Sequence, residues 1–276
     1  MEEQQFKQRV VARVDALQGE LWNIALKLYE YPEVAFKEYR SASLLSEILA
    51  EAGFTVERAI GDIETSFRAT VQAERAGPKI AFLAEYDALP EIGHACGHNL
   101  IASAAVGAGL AMQAVIQELG GSVQVIGTPA EEGGGGKIIM KEAGVFDGLD
   151  AAMMVHPASK DMVLRGSLAS TRLKIEFHGK PAHAAAKPHL GINALDAVLL
   201  TFNNINALRQ HLHMSDRVAG IITHGGVAAN IVPAYTSAEF SVRGRTSARR
   251  AQVLDRVIAC AQAGAAATGC RLDYKV

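Results

Sequence analysis

Apolar side chains near the N-terminus recur at intervals of three and four, the spacing of one face of an α-helix. The positions are Phe6, Val10, Val14, Leu17, Leu21, Ile24 and Leu28. A second helical pattern over residues 44–49 stops at Gly53, a residue suited to a left-handed helix cap. Both patterns predict amphipathic helices that pack on a core, and we interpret them as scaffold.

Three apolar runs farther along the chain predict buried β-strands. They are residues 79–84, 122–128 and 151–155. The first leads into a polar loop over residues 85–99, the second into Glu131 and Glu132, and the third into His156. One alanine-rich helix predicted from residue 100 to about residue 119, and another from about residue 137, separate the runs. The carboxyl ends of parallel strands share one edge of a sheet. We therefore expect an α/β fold with a mostly parallel sheet, helices on both faces and a site at that edge.

The pattern changes in the second half of the chain. Strands are predicted over residues 168–177, 218–223, 236–242 and 272–276, and helices over residues 193–208 and 247–267. The order βαββαβ is that of a ferredoxin-like unit. We therefore predict two domains, residues 1–166 and 167–276.

Composition and charge limit the classes of molecule that the protein is expected to bind. The chain has 276 residues, 49% hydrophobic and 20% charged, with a net charge of −2. Mixed charges of this kind favour neither nucleic acid nor an anionic membrane, so we expect a small-molecule partner. The N-terminus lacks a secretory pattern, no apolar run is long enough to span a membrane, and three scattered cysteines predict no disulfide framework. We expect a cytoplasmic protein.

The loop after the first run contains Cys96 and His98, two positions apart. In extended backbone both side chains point to the same side and can converge on one metal ion. Asn99 is predicted to cap the following helix, whose positive end would favour the Cys96 thiolate. The alternative is that Cys96 is a buried small hydrophobe and the histidines are ordinary loop residues.

Four residues form the predicted ligand set: Cys96, His98, Glu132 and His156. Sulfur, nitrogen and oxygen donors together suit zinc, with manganese or cobalt as alternatives. Glu131 points differently from its neighbour Glu132, so it is the candidate general base that takes a proton from water. The alternative for this pair is a solvated turn.

Asp87 is a candidate hydrogen-bond acceptor that orients a ligand histidine. The alternative is that it caps the turn before Pro90.

The glycines of residues 133–136 and Lys137 resemble a phosphate loop only superficially, because Glu131 occupies its first glycine position and Ile138 follows the lysine. The sequence contains neither Gly-x-Ser-x-Gly nor His-Glu-x-x-His.

Several motifs together resemble one known family of metallopeptidases, the aminoacylase, carboxypeptidase G and succinyl-diaminopimelate desuccinylase group. They are Asp87-Ala-Leu-Pro90, His94-Ala-Cys-Gly-His-Asn99, Pro129-Ala-Glu-Glu-Gly133, His156-Pro157, Gly179-Lys-Pro-Ala-His183 and Asn230-Ile-Val-Pro233. They run in order through most of the chain. The resemblance is greatest to the branch of aminobenzoyl-glutamate hydrolase and indole-acetyl-amino-acid hydrolase.

The resemblance implies amide hydrolysis of an N-acyl or aminoacyl amino acid or a dipeptide, at a site with one or two divalent ions. It implies an inserted lid that mediates homodimerisation, and it matches the four predicted ligands to metal ligands and Glu131 to the general base. His183 matches a histidine that reaches a neighbouring active site and steadies the oxyanion. Asn230 and Arg243 lie where the family's lid contacts substrate.

Three departures from the family qualify these expectations. Glu85 stands where other branches have a ligating histidine, and Asn99 replaces an aspartate of the indole-acetyl relatives, which favours an aminobenzoyl-glutamate-like substrate. The sequence ends at Val276, before the family's return to the catalytic domain and its further histidine ligand. The alternative function is therefore a non-catalytic metal-binding or dimerising fragment.

Overall fold

The chain divides after Asp161 into two units, which are described separately below. The computed structural model describes residues 2–163 and 166–276. Among these residues, no helix combines the length and apolar character needed to cross a membrane.

Among its described residues, the first unit contains five α-helices, five strands and a short 3-10 helix at Ile60–Asp62. The α-helices and strands are α1 (Glu2–Glu30), α2 (Tyr39–Glu51), β1 (Thr55–Arg58), β2 (Phe67–Gln72), β3 (Lys79–Ala84), α3 (His98–Gln113), α4 (Ile116–Leu119), β4 (Ser122–Gly127), α5 (Gly136–Glu142) and β5 (Ala151–Met153). The strands form one sheet in the order β1-β2-β4-β3-β5. β3 is parallel to β4 and β5, whereas β2 is antiparallel to β1 and β4, so only β2 runs against the other four.

Helices cover both faces of this sheet. Neighbouring side chains of a strand point to opposite faces, so adjacent residues of β4 pack against different helices. Val125 of β4 packs in the cluster formed with α1, α2 and α3, and the adjacent Ile126 packs against Met140 of α5. Both β4 residues are fully buried. The predicted mostly parallel sheet with helices on both faces is confirmed.

The start of α3 differs from the prediction. Its N-cap is Gly97, with φ 78°, and not Asn99. Glycine adopts this left-handed backbone without steric cost. Asn99 is buried instead, and its Nδ2 donates to the Ala25 carbonyl at 3.1 Å, tying α3 to α1. The single helix expected as far as Leu119 is also interrupted between α3 and α4.

The second unit contains β6 (Ala169–His178), α6 (Ala194–Arg209), β7 (Arg217–His224), β8 (Tyr235–Gly244), α7 (Ser247–Thr268) and β9 (Arg271–Lys275). Its sheet is fully antiparallel in the order β7-β8-β6-β9. Asn193 caps α6 and Thr246 caps α7 through their side-chain oxygens. Both helices contribute to one core with alternate residues of β6. The ferredoxin-like prediction is confirmed.

Candidate metal centre

The candidate centre lies at the carboxyl ends of three neighbouring parallel strands. Glu85 and Asp87 follow β3, Glu131 and Glu132 follow β4, and His156 comes three residues after β5. His98 is the first residue of α3. These are the strand ends at which open α/β sheets place their sites.

His98 is the centre of the cluster and is only 1% exposed. Its Nδ1 lies 3.0 Å from Asp87 Oδ1. Its Nε2 lies 3.4 Å from Glu85 Oε2, 3.7 Å from Glu132 Oε1 and 4.0 Å from Glu131 Oε2. An ionised Asp87 can only accept, so in the neutral form of His98, the form that binds a metal, Nδ1 carries the proton and Nε2 presents its lone pair to the other carboxylates.

Two of these buried atoms have no hydrogen-bond partner: His98 Nε2 and Glu85 Oε2. Two acceptors that face each other repel, and leaving them unpaired in the interior is costly. A cation between them removes both costs. Ligand atoms of Glu85, His98 and His156 lie within 4.8 Å of one another, as do those of His98, Glu131 and Glu132. The donor set therefore fits a divalent metal ion.

The four predicted ligands are distributed unevenly around this cluster. His98 and Glu132 share one group of ligand atoms, and His156 shares the other with His98 and Glu85. The His156 ring meets that of His98 edge-on, with centroids 6.0 Å apart. Cys96 lies beside the Glu132 carboxylate and belongs to neither group. Within residues 2–163 and 166–276, neither group unites all four side chains.

The Cys96 thiol differs from the expected thiolate. A hydrogen bond to Glu132, partial burial and the nearby carboxylate charges raise the pKa of Cys96 to about 11. The N-cap of α3 is Gly97, directly after Cys96, but the charges of the surrounding carboxylates outweigh the effect of the helix end on the thiol. A divalent ion would reverse this balance, since a coordinating thiol loses its proton.

Burial and neighbouring charges shift the pKa values of Glu131 and His98. Burial and the charge of Glu85 raise the pKa of Glu131, although Lys137 opposes them. Burial would lower the pKa of His98, but the hydrogen bond and charge of Asp87 outweigh it and raise that pKa. A carboxylate with a raised pKa, beside a cluster of metal-ligating atoms, has the properties of a general base.

Three residues of this region were not among the predicted site residues. Glu85 belongs to one ligand group, Lys137 pairs with Glu85, and Glu38 accepts a hydrogen bond from the backbone of Ala130. Glu85 carried a signal in the sequence, because it is two positions before Asp87 at the end of a strand and so faces the same side. Nothing local distinguished Glu38 from a surface residue, and Lys137 stood out only through its superficial phosphate-loop pattern.

The second unit carries the remaining predicted residues, all exposed: His183, Asn230 and Arg243. Two of their segments are adjacent. His183 forms an isolated bridge with Ile231, and the Ala184 amide donates to the Asn230 carbonyl at 3.0 Å. The His183 Nδ1 accepts the amides of Ala185 and Ala186. Arg243 lies on β8.

The sequence is similar to those of known peptidases and hydrolases. Residues 166–268 match the model of a peptidase dimerisation domain. The chain is 39% identical over 283 residues to Xaa-Arg dipeptidase of Mus musculus, covering 98% of this chain and 65% of the relative. It is 38% identical over 276 residues to a p-aminobenzoyl-glutamate hydrolase polypeptide of Escherichia coli, covering 91% and 57%. The chain thus spans less than two thirds of either relative.

Solved structures show the same fold. A putative aminohydrolase from methicillin-resistant Staphylococcus aureus superposes with a TM-score of 0.79 at 25% identity, over 97% of this chain and 75% of that one. The YXEP protein of Bacillus subtilis, a dinuclear metal-binding peptidase from the M20 family, gives 0.73 at 25% identity, over 95% and 74%. From the order of its motifs, its fold and these relatives, the chain belongs to the M20 peptidase family.

Proposed function

We propose that this protein is a metal-dependent amidohydrolase that cleaves an N-acyl or aminoacyl amino acid or a dipeptide. One observation carries the proposal: the unpartnered His98 Nε2 and Glu85 Oε2 are buried side by side among further carboxylates. Such an arrangement is costly for folding alone and suits a bound cation.

We further propose zinc as the ion, held by Cys96, His98, Glu132 and His156, with Glu85 available as an additional oxygen donor. The mixture of thiol, imidazole and carboxylate donors supports zinc over magnesium or calcium. When bound, such an ion polarises the substrate carbonyl and makes water more acidic. Asp87 fixes the His98 ring by accepting a hydrogen bond from Nδ1–H.

Glu131 is the proposed general base. Its carboxylate lies 4.0 Å from His98 Nε2 and remains 43% exposed, so water and substrate can reach it. The burial and negative charge that raise its pKa bring it closer to the pH at which a base works best. Glu131 therefore takes a proton from the attacking water and delivers it to the leaving amine.

The second unit is proposed to supply substrate contacts and the homodimer interface. The match to a peptidase dimerisation domain supports the dimer. His183 is proposed to steady the oxyanion in a neighbouring active site, and Asn230 and Arg243 to contact substrate. A guanidinium pairs well with a terminal carboxylate, and Arg243 is exposed on β8.

The names of the relatives support an amino acid with a free carboxylate as the leaving half. Xaa-Arg dipeptidase and p-aminobenzoyl-glutamate hydrolase both release such a product by their names. An aminobenzoyl-glutamate-like substrate is the favoured one.

The test is an assay of the zinc-loaded chain against p-aminobenzoyl-glutamate, dipeptides ending in arginine and N-acetyl amino acids, with the released amine quantified. Glu131→Gln should lower turnover by about 10²–10⁴-fold, the usual contribution of a general base, at unchanged metal content. Glu142→Gln, an exposed change on α5, is the matched control. Unchanged turnover in Glu131→Gln, or no hydrolysis by a fully loaded parent, would overturn the proposal.

A further inference from the structure

Glu38 is a fully buried carboxylate at the N-cap position of α2, and the chemistry described above does not use it. We propose that it is a positioning residue for the general base. It acts on Glu131 through the backbone of the acidic turn, defined here as residues 130–132. This inference rests on the proposed function of Glu131.

The two oxygens of Glu38 have specific partners. Oε1 accepts the Ala130 amide at 2.9 Å, and Oε2 accepts the Thr65 hydroxyl at 2.9 Å. The Thr65 carbonyl in turn accepts the hydroxyl of Tyr86 at 2.6 Å. Tyr86 is fully buried and immediately precedes Asp87. Glu38 therefore connects the start of α2 with the segments that follow β3 and β4.

The side chain of Glu38 is not needed to cap its own helix. It makes no capping hydrogen bond to α2, although it occupies the N-cap. Glu33 serves that end instead: its carboxylate accepts the amides of Arg40 and Ser41 at 3.1 and 2.8 Å. The exposed amides at the start of a helix need such acceptors. Because Glu33 supplies one, the Glu38 carboxylate is left to hold the acidic turn.

The acidic turn requires this support. Ala130 is fully buried with φ 59°, a left-handed conformation that is unfavourable for a residue with a Cβ. Its amide donates to Glu38, and the Glu132 amide donates to Asp87 Oδ2 at 2.9 Å. Two buried carboxylates thus hold the amides on either side of Glu131. Their positions determine the direction in which the Glu131 side chain leaves the backbone.

Burying Glu38 has a cost that packing alone does not explain. Burial raises the pKa of Glu38, because the charged form is poorly solvated there. An apolar residue would fill the same space without that cost. What an apolar residue lacks is an acceptor for the Ala130 amide, so the observed contact is the specific contribution of this carboxylate.

Glu38→Ala, Glu38→Gln and the control Glu33→Gln separate positioning from packing. We expect Glu38→Ala to lower kcat by about 10²-fold with little change in KM, since a displaced base affects the chemical step. Its Co²⁺-loaded form should show a shifted visible absorption spectrum, because Glu132 moves with the turn. Glu38→Gln should retain a kcat within about threefold of the parent, because its amide oxygen still accepts from Ala130 and its amide nitrogen can donate to Thr65. Glu33→Gln should change stability only.

Two results would overturn the inference: parent-like kcat and cobalt spectrum in Glu38→Ala, or a Glu38→Gln variant as impaired as Glu38→Ala. If Glu38→Ala does not fold, Glu38→Asp replaces it. Aspartate keeps the charge but is one methylene shorter, so it should lose the Ala130 contact and lower kcat, and an unchanged kcat contradicts positioning. Should the parent hydrolyse nothing, the proposed function fails, while the cobalt spectra still decide whether Glu38 holds the turn.

Discussion

His98 shows how one residue combines a structural contact with a chemical one. Its Nδ1 is committed to Asp87 at 3.0 Å, which leaves Nε2 for the carboxylates and a cation. Asp87 also accepts the Glu132 amide with its second oxygen. One buried carboxylate therefore fixes both a ligand ring and the backbone of the acidic turn.

Asp87→Asn should weaken metal binding by about 10–100-fold, the usual effect of losing a group that orients a ligand histidine. An asparagine side chain has one acceptor oxygen and one donor NH2 group, whereas aspartate has two acceptor oxygens. The NH2 group therefore faces either His98 Nδ1–H or the Glu132 amide, and both of these are donors. Titration calorimetry with Zn²⁺ measures the change, and the exposed Asp147→Asn is the control. Equal affinity in the two variants would show that Asp87 does not orient the site.

Residue types and spacing predicted much of the site region, but not its contacts. Asp87, Glu131, Glu132 and His156 all follow strands, and that placement is visible in the sequence. The Cys96 thiol is surrounded by carboxylates that arrive from another strand, so its raised pKa could not be foreseen from its neighbours in the chain. The Glu38 contact joins residues 92 positions apart, which no local pattern reports.

Helix packing in the second unit depends on a glycine. A Cβ built on Gly264 of α7 lies 2.6 Å from the Ala197 carbonyl oxygen of α6, which is shorter than a non-bonded contact between these atoms allows. Gly19 of α1 has nothing within 4 Å of the same position. Both glycines lie inside helices, where alanine is intrinsically better by about 1 kcal/mol.

Gly264→Ala and Gly19→Ala should therefore change the free energy of unfolding in opposite directions. We expect Gly19→Ala to stabilise by about 0.5–1 kcal/mol through helix propensity and reduced unfolded-state freedom. Gly264→Ala should destabilise by about 1–3 kcal/mol, because α6 and α7 must separate. Denaturant titrations of both variants test this, and stabilisation by both would mean that α6 and α7 are not in close contact at this glycine.

The loop between α6 and β7 is joined to α7 by an ion pair whose carboxylate is buried. Asp216 is 5% exposed and accepts hydrogen bonds from Arg249 Nε at 3.3 and 3.0 Å, one to each oxygen, and from Nη2 at 2.5 Å. Hydrogen bonds from Arg249 lower the pKa of Asp216 below its usual 3.8. The folded state therefore binds this proton less readily than the unfolded state.

This pair predicts a specific acid sensitivity. Because the pKa of Asp216 is lowered on folding, its contribution to stability is present above the unfolded pKa and is lost as pH falls through the folded one. We expect the parent to lose stability as pH falls below about 4. Asp216→Asn should be less stable at pH 7 by about 1–3 kcal/mol, the range for hydrogen bonds to charged groups, with a shallower decline in acid. Parallel pH curves would contradict the assignment.

Elements whose pattern is local were predicted well, and those set by tertiary contact were not. A short continuous apolar run located β3 at residues 79–84 in both sequence and structure. The break between α3 and α4 was missed, because the alanine-rich sequence favours helix throughout. Asn99 was assigned to a cap on propensity alone, whereas its contact with Ala25 of α1 determines its actual place.

At the scale of the whole molecule, each unit has a hydrophobic core of its own. Leu45, Phe67 and Val125 are fully buried in the first, and Leu173, Ile175 and Phe240 are buried in the second. The sequence predicted both fold classes through a change in the strand patterns. Continuous apolar strands are typical of a parallel sheet that is buried on both faces, and alternating strands are typical of an antiparallel sheet that is buried on one. All the proposed metal ligands belong to the first unit.

Metal removal should therefore affect one unfolding transition and leave another unchanged. Calorimetry of the full chain is expected to show two transitions, one for each core. A ligand that binds only the folded state stabilises it by about 2.7 kcal/mol at a concentration 100-fold above Kd. Zinc should thus raise the Tm of one transition by several degrees, and chelation should reverse it.

His98→Ala assigns the shifted transition to the candidate centre. This variant lacks the nitrogen around which the carboxylates gather, so zinc should no longer move its first-unit transition. His211→Ala, which changes a histidine in the second unit, should keep the full zinc response. A zinc shift that persists in His98→Ala would place the metal elsewhere, and the hydrolytic proposal built on this cluster would fail with it.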